Sequence, residues 1–457
     1  MDSLTRCIEK LNNHQTTSVK LVKDAISEAS KWACKNVIGS INPKALEMAE
    51  KLDLERKNGH IRSRLHGIPI AIKDNILYDD GTPTTCNSFA FNDFIPPFNA
   101  SIVDRLIEAG LIPLFKANLS EFAYFMSDED MPSGYGSMHG QVKHPFDESI
   151  DPYGSSTGSA VAVKLGIVPL SIGSETNGSL MAPAYQCQIV SYKPTFGWVS
   201  KRGIIPISHT QDTAGPMGNT VKDCALLMDI LSFKDTRDPD TLNIDHPLVS
   251  KHLNQPLKPS RVGLLSLKNY PYDGDTKKVY EHTKQTLISM GHTVVDLEIE
   301  YPKLDNNPTL LIEFKYGMNR FLKEVQGYTH HKSLTDIIEF NQKHADRCLK
   351  YGQSLLIKSN NTDGDIHSEF YLNTKRELVE TASYMEETMK EQDLIAIATP
   401  IWLSFAPIYG NPSVCIPEGI HQGKPKSMVF VGRKHDDETL LRLCHQYELK
   451  RNTYEIK

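Results

Sequence analysis

From residue 67 onward, short apolar segments of strand length alternate with stretches of helical period, and this alternation leaves the chain few architectures. In Gly67-Ile68-Pro69-Ile70-Ala71-Ile72-Lys73, residues Ile68, Ile70 and Ile72 fall on one face and Ala71 and Lys73 on the other, the period of two that defines a strand. The pattern ends at Lys73, so it delivers a lysine to the end of an apolar strand. Val103, Leu106 and Ile107 follow at helical spacing, and 111–115 reads as a second short strand. Residues 159–165 read as a helix, and 168–172 as a strand running into a glycine-punctuated loop that ends at Ser179. Further on, 261–267, 293–299 and 394–398 read as strands and 275–290 as a helix, while 2–55 reads as paired helices. Such alternation predicts an α/β fold, a mixed β-sheet sandwiched between helices on both faces.

With no internal repeat and no low-complexity linker, the chain is expected to form one unit over 1–457. Within it, N-terminal helices occupy about 1–60, the core about 61–235, and a helix-rich, polar covering segment about 300–390. Apolar residues at 39% and charged residues at 23% fit a folded globular protein. A net charge of −6 argues against a nucleic-acid partner and suits a neutral or cationic small substrate. The first ten residues alternate charge with apolar side chains and read as an amphipathic helix rather than a leader. No apolar run is long enough to span a membrane. The eight cysteines are scattered without a C-x-x-C pair, which reads as free buried thiols and a cytoplasmic location.

Two clusters carry the chemistry: Tyr153-Gly154-Ser155-Ser156-Thr157-Gly158-Ser159 and Ile172-Gly173-Ser174-Glu175-Thr176-Asn177-Gly178-Ser179. Glycine lets backbone N–H groups approach a ligand closely, so such loops can aim several donors at one developing negative charge. Each cluster alone also suits a tight turn with helix-capping serines. A phosphate loop would need a lysine where Gly158-Ser159-Ala160 has none. A nucleophile elbow is formally matched with Ser156 as nucleophile, but it should follow a buried strand, and 145–152 is polar and flanked by prolines. The tract 360–365 is no calcium loop, since Ser359 and Phe370 stand where its end carboxylates belong. None of the 17 histidines lies in an H-E-x-x-H motif, and His139 is the one beside a candidate site loop.

Together the clusters resemble the signature of the amidase signature family, a Gly-Gly-Ser-Ser-x-Gly-Ser segment followed by a Gly-x-x-x-Gly-Gly-Ser-type loop. Ile72-Lys73-Asp74-Asn75 matches that family's lysine segment, and Asn118 to Phe122, Lys193 to Gly197, Gln211 to Met217 and Gly410 to Val414 are similar to further family segments. The resemblance covers most of the chain. It implies Ser179 as nucleophile, Ser155 after a cis peptide bond as bridging serine, and Lys73 as base. It also implies an oxyanion hole from the backbone N–H groups of Thr176, Asn177, Gly178 and Ser179, with no metal or cofactor. An amide is a poor electrophile, so its hydrolysis needs an activated hydroxyl and a site for the oxyanion. A lysine can take the hydroxyl proton at neutral pH only when its pKa is lowered by about 3, equivalent to about 4 kcal/mol.

Three positions depart from the family pattern. Tyr153 replaces the first glycine of the first cluster, Asn177 replaces a glycine before the nucleophile, and Met181 stands where the A-type chain of the glutamyl-tRNA amidotransferase carries arginine. These departures weaken an amidotransferase reading. Glu175 to Ser179, with Pro132 to Tyr135, Gly140-Gln141 and Leu334 to Asn341, resemble instead a stand-alone, peptide-amidase-like branch. That resemblance implies a small carboxamide or a peptide C-terminal amide as substrate. Two alternatives stay open at this point: an amidotransferase A-type subunit releasing ammonia from glutamine, and a catalytically inactive scaffold. An acyl-Ser179 intermediate can also pass either to water or to another amine.

Overall fold

Strand β2 (Pro69–Lys73) is buried along its whole length. Strands β3 (Ile112–Ala117) and β4 (Leu170–Glu175) flank it, both parallel to it. Its faces divide as the period of two requires: Ile70 and Ile72, with Ile68 before them, join one apolar cluster, and Ala71 joins another on the opposite side. The computed structural model describes residues 2–268, 270–302 and 304–451; the other positions of the expected 1–457 unit lie outside the described residues.

Around β2 the sheet extends through β1 (Ile38–Ile41), β5 (Val190–Lys193), β6 (Thr213–Gly218), β7 (Arg261–Leu267), β8 (Thr293–Ile299), β9 (Leu394–Thr399), β10 (Ser413–His421) and β11 (Lys424–Gly432). The eleven strands are ordered β1-β3-β2-β4-β6-β5-β10-β11-β9-β7-β8. Parallel pairs around β2 and around β7 are joined by antiparallel pairs in the middle, so the sheet is mixed. Helices cover both faces. Thr157–Lys164 and Met181–Cys187 pack into one apolar cluster, and Val221–Leu231 and Asp437–Lys450 into the other.

Several boundaries differ from the sequence reading. The N-terminal helices Leu4–Asn12, Ser18–Lys31 and Ala45–Lys57 are interrupted by β1, whose Ile-Gly-Ser-Ile has little strand character alone and is set by antiparallel pairing with β3. Strand β4 starts later than expected and runs on to Glu175, because Gly173, Ser174 and Glu175 pair with Gly215, Ala214 and Thr213 of β6. What read as loop is therefore ladder. The eight cysteines are unpaired, but Cys34 is exposed rather than buried. No helix among the described residues is long and apolar enough to cross a membrane.

Gly158 shows why the first cluster needs a glycine inside a helix. A Cβ there would lie 2.3 Å from the Asn118 carbonyl oxygen and 2.9 Å from that of Val37, both backbone atoms that cannot swing aside. The Gly158 N–H donates to that same Asn118 carbonyl at 2.8 Å. Gly158→Ala is expected to destabilise the fold by about 1–3 kcal/mol, read as a lower urea midpoint.

Candidate active site

Lys73 ends β2 at the carboxyl end of the parallel strands, where open α/β sheets present their crevices. Its ammonium is wholly buried and has three hydrogen-bond partners: Ser155 Oγ at 2.8 Å, Ser174 Oγ at 2.9 Å and the Ser174 carbonyl at 3.1 Å. Asn75 Nδ2 donates to the same Ser174 Oγ at 3.0 Å and fixes it. Burial lowers the Lys73 pKa to about 7, against the weaker pull of the Asp212 and Glu175 carboxylates. A neutral amine keeps two donors, which Ser174 can take, and a lone pair that can accept the Ser155 hydroxyl proton.

The peptide bond between Gly154 and Ser155 is cis. Ser155 and Ser156, adjacent and both fully buried, point to different partners. Ser156 Oγ donates to the Ser174 carbonyl at 2.9 Å and accepts the Ser174 N–H at 3.1 Å, tying the start of helix Thr157–Lys164 to β4. Ser156 is thus a clamp between the two clusters, and an elbow built on it finds no support. Ser179 sits against the same pair: the Ser156 N–H donates to the Ser179 carbonyl at 3.3 Å. Its side chain lines the cavity, and no hydrogen bond joins its hydroxyl to Ser155 in this structure.

No acceptor among the described residues takes the backbone N–H groups of Thr176, Asn177, Gly178 or Ser179, whereas those of Leu180 and Met181 both donate to Glu175, at 2.7 and 3.2 Å. Glu175 therefore ties down the entry to helix Met181–Cys187 and leaves the preceding turn to face the cavity. That turn is held from behind. Thr176 Oγ1 donates to Asp212 at 2.5 Å, and Gln211 Nε2 donates to the Thr176 carbonyl at 3.1 Å. Asp212 also accepts the N–H groups of Ile207 and Ser208, and burial raises its pKa to about 6. Gly178 has φ +85° and packs against the Trp402 indole, which a Cβ would meet at 3.0 Å.

A cavity of about 520 Å³ opens over this turn, lined by Gly154, Thr176, Asn177, Gly178 and Ser179. Its walls come from Tyr153 and Trp402, from Tyr124 and Phe125, and from Asn306, Leu310 and Leu355 of the helix-rich 300–390 segment. Tyr153 adopts φ +55°, a conformation that glycine would take without cost, and its ring meets Trp402 edge-on at 5.4 Å. The departure from glycine thus supplies wall. Asp128 and Asp151 are the charged lining residues; Lys358 pairs with Asp128 at 2.6 Å, and Asp151 accepts the Tyr153 N–H at 2.7 Å. Ser174, Asn75, Gln211, Asp212 and Trp402 were not singled out as site residues by the sequence. The first four lie within the motif segments, where proximity to the assigned residues was the available signal, whereas Trp402 is far along the chain and gave none. His139 lies against Asn36 and Gly39 and does not line the cavity. Among the described residues no group of three or more His, Cys, Asp or Glu side chains is placed to hold a metal ion.

A family model described as Amidase matches residues 20–414. A probable amidase of Arabidopsis thaliana is 31% identical over 453 residues, 96% of this chain and 87% of the relative. The A-type chain of the glutamyl-tRNA(Gln) amidotransferase of Heliobacterium modesticaldum is 30% identical over 436 residues, 89% of this chain and 87% of the relative. The solved structure of native peptide amidase from Stenotrophomonas maltophilia matches with a TM-score of 0.93 at 30% identity, over 99% of this chain and 98% of that one. The fold and these likenesses define an amidase-type hydrolase. The chain belongs to the amidase family.

The burial of Lys73 has a measurable consequence. Its folded pKa of about 7 lies below the ordinary 10.5, so between these values the unfolded chain binds a proton that the folded chain does not. Stability from this group is thus smallest below pH 7 and rises with pH up to about 10.5. Compared with the wild type, Lys73→Met is expected to flatten this rise by about 4 kcal/mol at the limit, measured by denaturant unfolding at pH 7 and pH 10.

Proposed function

We propose that the protein hydrolyses a small carboxamide or a peptide C-terminal amide to a carboxylate and ammonia through an acyl-serine intermediate. One observation carries this reading: a lysine buried without an ion-pair partner among the described residues, its pKa lowered to about 7, and hydrogen-bonded to Ser155, whose neighbour Ser156 contacts Ser179. Neutral Lys73 takes the Ser155 hydroxyl proton as Ser155 takes that of Ser179, and Ser179 Oγ adds to the amide carbon. The oxyanion lies against the N–H groups of Thr176, Asn177, Gly178 and Ser179, which have no acceptor among the described residues. The proton returns through Ser155 to the departing nitrogen, and water then cleaves the acyl-Ser179 ester by the reverse relay. The Ser179–Ser155 contact belongs to the substrate complex in this scheme, in keeping with enzymes whose catalytic hydrogen bonds tighten only on binding.

Similarity to A-type amidotransferase chains raises a second reading, release of ammonia from glutamine. Glutamine carries an α-carboxylate, and the cavity is lined by Asp128 and Asp151 with no cationic side chain among the described lining residues. Met181, where the amidotransferase chain has arginine, is apolar and buried. A neutral or positively charged amide fits this lining better.

Ser179→Ala is expected to lower amide turnover by about 10⁴-fold or more, while Ser156→Ala, which removes a clamp, retains a measurable rate. The kcat/KM should climb with pH through a midpoint near 7, since Lys73 acts after losing its proton, and EDTA should leave it unchanged. In a panel of primary amides scored by ammonia release, amino-acid amides and peptide amides should outpace glutamine. A glutamine-dependent rate requiring a co-purifying partner protein would instead establish the second reading.

A further inference from the structure

The turn that presents the free N–H groups is gripped by a chain of side chains that begins outside the signature segments, on two helices of the covering region. Helix Asn307–Glu324 carries Glu313, and helix Glu369–Ala382 carries Tyr371 and Lys375. Glu313 is fully buried, and it accepts hydrogen bonds from Ser208, from Thr210 at 2.9 Å and from Tyr371 at 2.7 Å. Lys375 lies 3.5 Å from the same carboxylate and donates at 3.2 Å to Gln211 Oε1. Gln211 in turn donates through Nε2 to the Thr176 carbonyl at 3.1 Å.

The orientation of the Gln211 amide is forced from both ends. An ammonium can only donate and a carbonyl can only accept, so the oxygen must face Lys375 and the nitrogen Thr176. The Thr176 carbonyl belongs to the same peptide unit as the Asn177 N–H, and that unit is trans. In a planar trans peptide the N–H points opposite to the C=O. Holding the carbonyl back toward Gln211 therefore aims the Asn177 N–H forward, where no acceptor among the described residues meets it and where the turn lines the cavity.

Given the acyl-serine reading above, we propose that Lys375 is a positioning residue, which acts through Gln211 to orient the Thr176–Asn177 peptide and so aims the Asn177 N–H at the oxyanion. A surface far from the nucleophile in sequence thereby sets the geometry of the anion site. An ion pair that served only to hold the covering helices would affect stability and leave the reaction alone.

The test uses the full-length chain and the primary amide turned over fastest in the ammonia-release panel, with thermal unfolding measured on every variant. Lys375→Met and Gln211→Leu should each lower kcat about tenfold while KM moves by less than about twofold. Each should weaken inhibition by a peptide aldehyde, whose serine adduct carries the oxyanion, by a similar factor. The double variant should be no slower than either single one, because both residues act in one chain, and Lys375→Arg should recover most of the rate. Gln211→Leu keeps the Lys375–Glu313 pair and serves alone if Lys375→Met does not fold. Unchanged kcat and aldehyde inhibition with only a lower unfolding temperature, or losses that multiply in the double variant, would overturn the proposal while leaving the acyl-serine reading in place. Turnover that survives Ser179→Ala would instead remove that reading and this one together.

Discussion

A positive charge that the fold refuses to solvate is the constraint around which this site is arranged. Lys73 stands at the end of a central strand with neighbours on both edges and apolar clusters on both faces, and it is fully buried. Its partners are hydroxyls and one carbonyl, which stabilise an ammonium less than a carboxylate would. Lys116, on the adjacent strand β3, makes the contrast plain. It is equally buried, yet it meets Asp80 at 3.1 Å and the carbonyls of Thr82 and Pro83. One lysine is paired and locks a loop; the other is left with neutral partners and a pKa lowered by burial to about 7.

The carboxylates near Lys73 are kept from undoing this. Glu175 is engaged by two backbone N–H groups at the start of a helix, and Asp212 by a hydroxyl and two more N–H groups. Both are buried, and each does a second task. Glu175 fixes the end of the turn that carries Ser179, and Asp212 fixes its beginning at Thr176. Polar groups buried around a site must find partners; those flanking the turn do, whereas the N–H groups of 176–179 meet no acceptor among the described residues.

The covering segment adds shape to the chemistry of the core. Asn306, Leu310 and Leu355 line the cavity together with Trp402 and Tyr153, whose rings meet edge-on, and Tyr185 packs edge-on against Trp402. The two glycine and hydroxyl clusters sit beneath. The charged members of the lining above them, Asp128 and Asp151, are both carboxylates.

Much of this was legible in the sequence because it rests on local pattern. The period of two at 68–72 placed Lys73 at a strand end, the glycine and hydroxyl clusters marked two loops, and the polar approach at 145–152 argued against Ser156 as a nucleophile. The alternation of strand-length and helix-period segments was enough to indicate an α/β sheet with helices on both faces. Tertiary structure decided what depends on residues far apart in the chain. Strand β1 exists because β3 offers it an edge, and β4 reaches Glu175 because β6 pairs with it; neither Ile-Gly-Ser-Ile nor Gly-Ser-Glu is strand-like by itself. Ser174 became a partner of Lys73 only when that extension brought two strand ends together, and Trp402 reached Gly178 only through the packed sheet. Residue types and their local spacing can specify which groups are suited to the chemistry, whereas desolvation and hydrogen-bond partnership are properties of the whole packed molecule, and those set the proton affinity of Lys73.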